Sequence, residues 1–199
     1  PGAREHLSRS LGGAPGAHPE EHLTPIDLAW LAQLPEVVAL VTLAPELPGA
    51  CAAITLLLDA MKGFVPVWLA LWLSPRFGWG ETTIAFVGLA AFVGHLWPVF
   101  FRFQGGKGVA TAAGVLLAFN PWLGLATLAT WVIIVVFFRY SSLASIVAAL
   151  FAPFYQLLIW EPSAIALAIA VMSLLLIWRH SANIRKLLAG TESKLGQKA

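Results

Sequence analysis

Six long apolar runs, separated by short loops, constrain the fold of this chain more than any other feature. They lie at residues 52–73, 82–100, 109–119, 122–138, 143–160 and 163–178. A helix of about 20 apolar residues crosses the hydrocarbon core of a bilayer, so such runs predict membrane-embedded helices. A seventh run at 26–44 is a weak candidate, because Asp27 and Glu36 interrupt it. We therefore predict an all-α, polytopic transmembrane helical bundle of about six to seven helices.

The composition agrees with a lipid environment. Hydrophobic residues make up 59% of the chain and charged residues only 11%, against about 25% charged residues in soluble domains. Six of the ten acidic residues precede residue 50, which separates a polar N-terminal segment (1–50) from a membrane body (52–192) and a short tail (193–199). The single cysteine, Cys51, excludes an internal disulfide framework and a multi-cysteine metal site.

The basic residues predict which ends of the helices face the cytoplasm. If the helices alternate in direction, one side of the membrane receives Arg102, Lys107, Arg139, Arg179, Arg185, Lys186, Lys194 and Lys198. Among loop residues after position 50, the other side receives only Arg76. Because cytoplasmic loops carry the excess of Lys and Arg, we predict a multi-pass protein whose C-terminus is cytoplasmic. The basic residues form no long run, so anionic lipids or a phosphate-bearing substrate explain them better than nucleic acid.

One predicted cytoplasmic loop has the composition of an anion site. Gly105-Gly106-Lys107-Gly108 leads directly into the apolar run at 109–119. Glycines let backbone N–H groups approach an anion, and a helix N-terminus and a lysine add positive potential. The loop is not a Walker A motif, because Gly108 stands where Ser or Thr would follow the lysine. The simpler alternative is a flexible connection between two helices.

A second candidate segment, HSANIRKLLAGTE at 180–192, follows the last apolar run. In a helix, His180 and Asn183 lie on one face, three residues apart. A histidine exchanges protons near neutral pH, and an asparagine can orient it or bind a substrate hydroxyl. The alternative is a basic tail that binds anionic lipids.

Two charged residues lie inside the first apolar run of the membrane body. Asp59 and Lys62 are three residues apart, so they share one helix face. They either pair with each other, or they lie beneath the active site, where Lys62 would meet a substrate phosphate. His95, one turn before the glycine loop, is predicted to pack or to hydrogen-bond.

Four segments together resemble one enzyme family. GHLWPVFFRFQGGKGVATAAG (94–114) and HSANIRKLLAGTE (180–192) resemble signature motifs of the bacterial acyl-phosphate:glycerol-3-phosphate acyltransferases, the PlsY family. The corresponding family patterns are GHxxPxFxxFxGGKGVAT and HxxNIxRLLxGxE. LLLDAMKG (56–63) and YSSLASI (140–146) are similar to two further helices of that family, in the same order.

This resemblance implies an integral inner-membrane enzyme with seven helices and its motifs on the cytoplasmic side. Such an enzyme transfers a fatty acyl group from acyl phosphate to the 1-hydroxyl of glycerol 3-phosphate, giving lysophosphatidic acid and phosphate. By resemblance, Gly105, Gly106, Lys107 and Gly108 hold substrate phosphate, while His180 and Asn183 position the substrates and the attacking hydroxyl. Lys107, His180 and Asn183 are thus the predicted catalytic residues. Arg185 and Lys186 are predicted to bind substrate phosphate as well, although the family's basic residue matches Lys186 rather than Arg185. The family's final acidic residue matches Glu192, which is predicted to support the site. No metal or cofactor is implied, because an acyl phosphate is already activated.

The chain departs from the family pattern before residue 52. The family's third signature, GSGNxGATNxxR, would place its serine near Pro35 and its arginine near Pro45, and this sequence is absent there. We hypothesise that residues 1–50 are an altered segment, and that activity is impaired. The alternative function is a non-enzymatic membrane carrier or binding protein for an anionic solute. Oligomeric state and acyl-chain preference are not predicted.

Overall fold

The secondary structure is helical throughout the part of the chain that can be described. The computed structural model describes residues 48–99, 102–103 and 105–196, which contain seven α-helices and no β-strand. The helices are α1 (Pro48–Phe77), α2 (Glu81–Leu96), α3 (Val109–Phe119), α4 (Pro121–Phe138), α5 (Ser141–Ile159), α6 (Ala164–Arg179) and α7 (Ser181–Leu188). The predicted all-α class is confirmed. The weak span predicted at 26–44 and the positions of the missing motif lie outside the described residues.

The helix boundaries follow local sequence signals. Asn120 caps α4, because its side-chain oxygen accepts hydrogen bonds from the backbone N–H groups of Trp122 and Leu123. Pro121 occupies the first helical position, where no N–H donor is required. This Asn-Pro pair separates α3 from α4, as the sequence predicted.

Three predicted boundaries were wrong: α1 begins at Pro48 rather than at 52, and proline is involved in the two that follow. α2 ends at Leu96 rather than at residue 100, because Pro98 disfavours helix in the residue before it. α1 continues to Phe77 rather than ending at 73, with Pro66 and Pro75 inside the helix. Prolines are tolerated in membrane helices where neighbouring groups satisfy the backbone positions that they disrupt.

The lengths of the helices suit a membrane protein. Three of them, α1, α4 and α5, are long and apolar enough to cross a bilayer. α6 and α7 form a further candidate span, bent by 57° at the break between them. α2 and α3 are apolar but shorter. The predicted polytopic membrane bundle is therefore confirmed.

α1 and α3 pack unusually closely, because glycines replace side chains at their contact. A β-carbon on Gly63 would collide with the carbonyl oxygen of Thr111, and one on Gly114 with the carbonyl oxygen of Ala60. The Thr111 hydroxyl donates a 2.9 Å hydrogen bond to the carbonyl oxygen of Asp59. Small residues allow such backbone approach in membrane helices, where apolar burial alone gives little driving force.

A buried apolar cluster lies beneath the glycine loop. Its members include Val67 of α1, Phe92 and Leu96 of α2, Val115 of α3 and Leu176 of α6. Val67, Phe92, Leu96 and Val115 have no measurable solvent exposure. These helices thus form a packed support for the loop between α2 and α3.

Contacts between loops show that the helices alternate in direction. At one end of the bundle, Arg139 and Leu195 exchange two hydrogen bonds of 2.7 Å, and Arg179 contacts the glycine loop. At the other end, the Glu81 carboxylate accepts a 3.0 Å hydrogen bond from the backbone N–H of Ile165. The loops predicted to be cytoplasmic therefore meet at one end; the side of the membrane that this end faces stays a prediction.

Candidate active site

The glycine loop between α2 and α3 is built on main-chain contacts that exclude side chains. A β-carbon on Gly105 would collide with the carbonyl oxygens of His95 and Leu96. One on Gly106 would lie 2.7 Å from Nε2 of His95. Gly108 has a φ of +81° and caps α3, and a β-carbon there would lie 2.6 Å from the Phe92 ring. Glycine is therefore required at these positions for close approach and, at Gly108, for the left-handed backbone.

Arg179 holds this loop from the other side, which the sequence analysis missed. Its Nη2 atom donates hydrogen bonds to the carbonyl oxygens of Gly105 and Gly106, at 2.7 and 3.1 Å. Arg179 is the last residue of α6 and immediately precedes His180. From sequence it was counted only as one of the basic residues that set membrane orientation, because a lone arginine after a span has no distinguishing pattern.

His180 lies in the break between α6 and α7 and is only 2% exposed. Its Nδ1 atom is 2.8 Å from the carbonyl oxygen of Leu176. A carbonyl oxygen can only accept a hydrogen bond, so Nδ1 must carry the proton. In the neutral ring, Nε2 then holds a lone pair and can accept a proton from another group.

Asn183 is one turn beyond His180, as predicted, and its orientation is fixed by Glu192. The Asn183 amide nitrogen donates a 2.8 Å hydrogen bond to Oε1 of Glu192. The same oxygen accepts a 2.6 Å hydrogen bond from the Ser142 hydroxyl at the start of α5. The amide oxygen of Asn183 has no hydrogen-bond donor among the described residues, which leaves it able to accept one from a substrate hydroxyl.

The environment of Glu192 favours its charged form. The hydrogen bond from Ser142 holds the pKa of its carboxyl below the ordinary value of 4.5, against a smaller opposing effect of burial. The hydrogen bond from Asn183 and the nearby charges of Lys186 and Lys107 lower the pKa further. Glu192 therefore acts as an ionised acceptor that joins α5, α7 and the segment after α7.

The predicted basic residues divide into two groups by position. Lys107 is exposed on the loop, close enough to His180 and Glu192 for its charge to act on both. Arg185 and Lys186 are exposed on the amphipathic helix α7, and the described residues provide no side-chain partner for Arg185. The charge of Lys107 thus acts on the histidine, and phosphate binding by Arg185 and Lys186 stays a prediction.

A second group of polar side chains lies beside the glycine loop and consists of Asp59, Lys62 and His95. Lys62 Nζ is 2.8 Å from Oδ1 of Asp59, so the expected pairing is present. His95 Nδ1 is 3.7 Å from the same oxygen, although 36 positions separate the two residues. Lys62 and His95 also line a cavity of about 380 Å³ together with Gly105 and Gly106. Lys62 is therefore paired with Asp59 and also lines a cavity beside the glycine loop, and its contact with a substrate phosphate stays a prediction.

An apolar cavity of about 430 Å³ lies next to this polar region. One end of the cavity is lined by Val109, which directly follows the glycine loop. Leu176 also lines it, and the carbonyl oxygen of Leu176 accepts the hydrogen bond from His180. Other parts of α1, α4 and α5 complete the lining, with Ala60, Leu128 and Ala148 among them. The cavity has the size and apolar character of a ligand pocket.

A metal centre is not indicated by the described side chains. No group of three or more His, Cys, Asp or Glu residues within the described ranges is placed to hold an ion. The expectation that no metal or cofactor takes part stays a prediction.

Comparison with known proteins shows that the chain is similar to glycerol-3-phosphate acyltransferases. A family model described as glycerol-3-phosphate acyltransferase matches residues 46–190. The chain is 66% identical over 147 residues to the glycerol-3-phosphate acyltransferase of Ralstonia pickettii (strain 12J), covering 74% of this chain and 71% of that protein. It is 60% identical over 147 residues to the protein of the same name from Janthinobacterium sp. (strain Marseille), covering 74% and 73% respectively.

Two solved structures are similar to this chain. Both are crystal structures of PlsY (YgiH), an integral membrane glycerol 3-phosphate acyltransferase, one in a glycerol 3-phosphate form and one in a lysophosphatidic acid form. Each has a TM-score of 0.70 and 37% sequence identity and covers 78% of this chain. The matches cover 76% and 78% of the respective crystal chains.

Proposed function

The chain belongs to the glycerol-3-phosphate acyltransferase family, and from this membership we propose its full reaction. It transfers a fatty acyl group from an acyl phosphate to the 1-hydroxyl of glycerol 3-phosphate. The products are lysophosphatidic acid and inorganic phosphate. The reaction takes place at the cytoplasmic face of the bacterial inner membrane, where the glycine loop and the C-terminal segment lie.

One observation carries this proposal: Arg179 and His180, which are consecutive residues at the end of α6, connect the glycine loop to the histidine. Arg179 bonds the loop, and His180 follows it in the chain with Nε2 available as a proton acceptor. Both substrates carry phosphate, which backbone N–H groups and Lys107 can bind. The same few residues can therefore hold a phosphate and receive a hydroxyl proton.

The reaction follows from these positions. The 1-hydroxyl oxygen of glycerol 3-phosphate attacks the carbonyl carbon of the acyl phosphate, and the bond from that carbon to the phosphate oxygen breaks. His180 Nε2 takes the hydroxyl proton, and the Asn183 amide oxygen helps to orient the hydroxyl. Inorganic phosphate leaves. Lys107 and the loop N–H groups stabilise the negative charge that develops in the transition state.

The apolar cavity supports a fatty acyl donor. It begins where the glycine loop ends, at Val109, and extends between α1, α3, α4, α5 and α6. A chain bound there would place its carboxyl end near Lys107. Membership in an acyltransferase family also favours an enzyme over the anion carrier that the sequence left open.

We further propose that this chain is less active than its relatives. The family's GSGNxGATNxxR motif, which by resemblance contributes phosphate contacts, has no counterpart before residue 52. Loss of one charged phosphate contact commonly costs about 1.5–3 kcal/mol, which corresponds to about tenfold or more in rate or affinity.

Phosphate release from palmitoyl phosphate tests the reaction. The purified chain in lipid nanodiscs should release phosphate only when glycerol 3-phosphate is present and should form lysophosphatidic acid in equal amount. The H180A variant should lower kcat by about 100-fold or more, because it removes the proton acceptor. Release that does not require glycerol 3-phosphate, or transfer from acyl thioesters instead, would contradict the proposed donor and acceptor.

A chimera tests the proposed impairment. The segment before residue 46 is replaced by the corresponding segment of the Ralstonia pickettii relative, while residues 46–199 are unchanged. We expect the chimera to be at least about tenfold more active than the original chain. Equal activity of the two proteins would show that the N-terminal sequence of this chain does not limit the reaction.

A further inference from the structure

The side chain of Arg179 bonds to the main chain of the glycine loop, at two carbonyl oxygens. Nη2 donates to the carbonyl oxygens of Gly105 and Gly106, which belong to two consecutive peptide units. Arg179 is half-buried. One terminal nitrogen of the guanidinium can bond both acceptors because it carries two N–H donors, and the planar group fixes the directions in which they point.

The orientation of these carbonyl groups determines where the adjoining N–H groups point. No cis peptide bond is present among the described residues. In a trans peptide the C=O and N–H bonds point in opposite directions. The N–H groups of Gly106 and Lys107 therefore point away from Arg179. Within the described ranges neither N–H donates a hydrogen bond to a protein acceptor.

We propose that Arg179 is a positioning residue, which fixes the Gly106 and Lys107 N–H groups as a preformed donor pair for a substrate phosphate. This inference rests on the proposed function, since it assigns the origin of phosphate binding at the same site. The guanidinium lies behind the two peptide units and does not itself touch the phosphate. Its charge polarises both units, which makes their N–H groups stronger donors.

Arg179 also links the phosphate donors of the loop to the proton acceptor, because of its position in the chain. Because His180 follows Arg179 directly, the N–H pair and the histidine are set by the same helix end. A change that moves the end of α6 therefore displaces the phosphate donors and the proton acceptor together.

The first test uses the unaltered chain and inorganic phosphate. The protein is labelled with ¹⁵N at glycine and lysine in detergent micelles, and amide resonances are followed as phosphate is added. The amide protons of Gly106 and Lys107 should shift downfield in a saturable manner, and those of Gly80 and Gly190 should not. Absence of a shift at both Gly106 and Lys107 would overturn the proposal, and this test needs no variant to fold.

The second test compares R179Q, R179K and a control, R76Q, which changes an arginine at the opposite end of the bundle. Inorganic phosphate affinity is measured by calorimetry, and thermal unfolding is measured on the same samples. We expect phosphate to bind about tenfold more weakly to R179Q and by an intermediate amount to R179K. R76Q should bind phosphate like the unaltered chain. Unchanged affinity in a folded R179Q would overturn the proposal.

Steady-state kinetics identify which substrate phosphate is bound. The KM of R179Q should rise about tenfold for either glycerol 3-phosphate or the acyl phosphate, with a smaller change in kcat. A fall in kcat with both KM values unchanged would show a merely structural role and overturn the proposal. If the unaltered chain transfers no acyl group, the proposed reaction fails, while the phosphate-binding measurements still decide the function of Arg179.

Discussion

Ser142 and Glu192, which are 50 positions apart, are joined by a 2.6 Å hydrogen bond from the serine hydroxyl to Oε1 of the carboxylate. The same oxygen accepts a hydrogen bond from Asn183, so one atom links the start of α5 to the face of α7 that carries the candidate site. Ser142 is buried, and Glu192 is half-buried. This arrangement makes Glu192 the acceptor that orients Asn183.

Removing the carboxylate of Glu192 should reduce catalysis by releasing Asn183. A hydrogen bond to a charged group contributes about 1.5–3 kcal/mol, and we take the lower end because Glu192 is only half-buried. E192A should therefore lower kcat by about tenfold, and E192Q, which keeps an acceptor oxygen, should lower it less. E161A, at an exposed glutamate on the other end of the bundle, serves as the control. Equal kcat values for E192A and E161A would contradict the assigned function of Glu192.

The same carboxylate should make stability depend on pH in acid. Because the folded protein lowers the pKa of Glu192 below 4.5, the unfolded chain binds its proton more readily. The stabilisation is thus fully present above about pH 4.5 and is lost as pH falls through the folded-state pKa. The difference in thermal midpoint between the unaltered chain and E192Q should shrink from pH 7 to pH 3.5. A difference that is constant over this range would show that Glu192 is not preferentially ionised in the folded state.

The close contact of α1 and α3 should not tolerate a methyl group. At Gly114 an added β-carbon would collide with the carbonyl oxygen of Ala60, which is backbone and can move only with its helix. G114A should therefore destabilise the protein by about 1–3 kcal/mol, as overpacked cores do. G94A is the matched control, since Gly94 is also helical but has nothing within 4 Å of an added β-carbon. Alanine is the better helix former, so the thermal midpoint of G94A should stay the same or rise.

Substitution of each member of the Asp59–Lys62 pair should separate pairing from substrate binding. Each substitution leaves one charge unpaired within α1, where this costs free energy, so the thermal midpoint of both variants is measured beside the KM. Both variants break the pair, but only K62M removes the positive charge that faces Gly105 and Gly106. We expect K62M to raise the KM of a phosphate-bearing substrate at least about fivefold and D59N to raise it less. Equal KM values for the two variants would leave pairing as the sole function of Lys62.

Much of the fold could be predicted because apolar runs determine membrane helices directly. The run at 109–119 matches α3 at both ends, and Asn120-Pro121 marks the boundary with α4. The end of α1 could not be predicted in the same way. Whether a helix continues through Pro66 and Pro75 depends on neighbouring groups that satisfy the backbone, and these come from tertiary structure.

The candidate site was predicted where its residues are close in sequence. The glycine loop and the pair of His180 and Asn183 each form a local pattern with a recognisable chemistry. Arg179 and Ser142 were missed because their partners are 74 and 50 positions away, and neither residue type is distinctive where it stands. The approach of His95 to Asp59 was missed for the same reason: separation along the chain does not determine distance across helices.

The backbone contacts of the glycine loop have a consequence for inhibitor resistance. Substitution of Gly105 would force its side chain against the carbonyl oxygens of His95 and Leu96, and substitution of Gly108 would add an unfavourable left-handed conformation. A compound that binds the main-chain N–H groups of this loop would thus address atoms that only a replacement by proline removes, at positions where replacements disturb the fold. Bacteria that depended on such an enzyme would have few viable escape mutations within the loop itself.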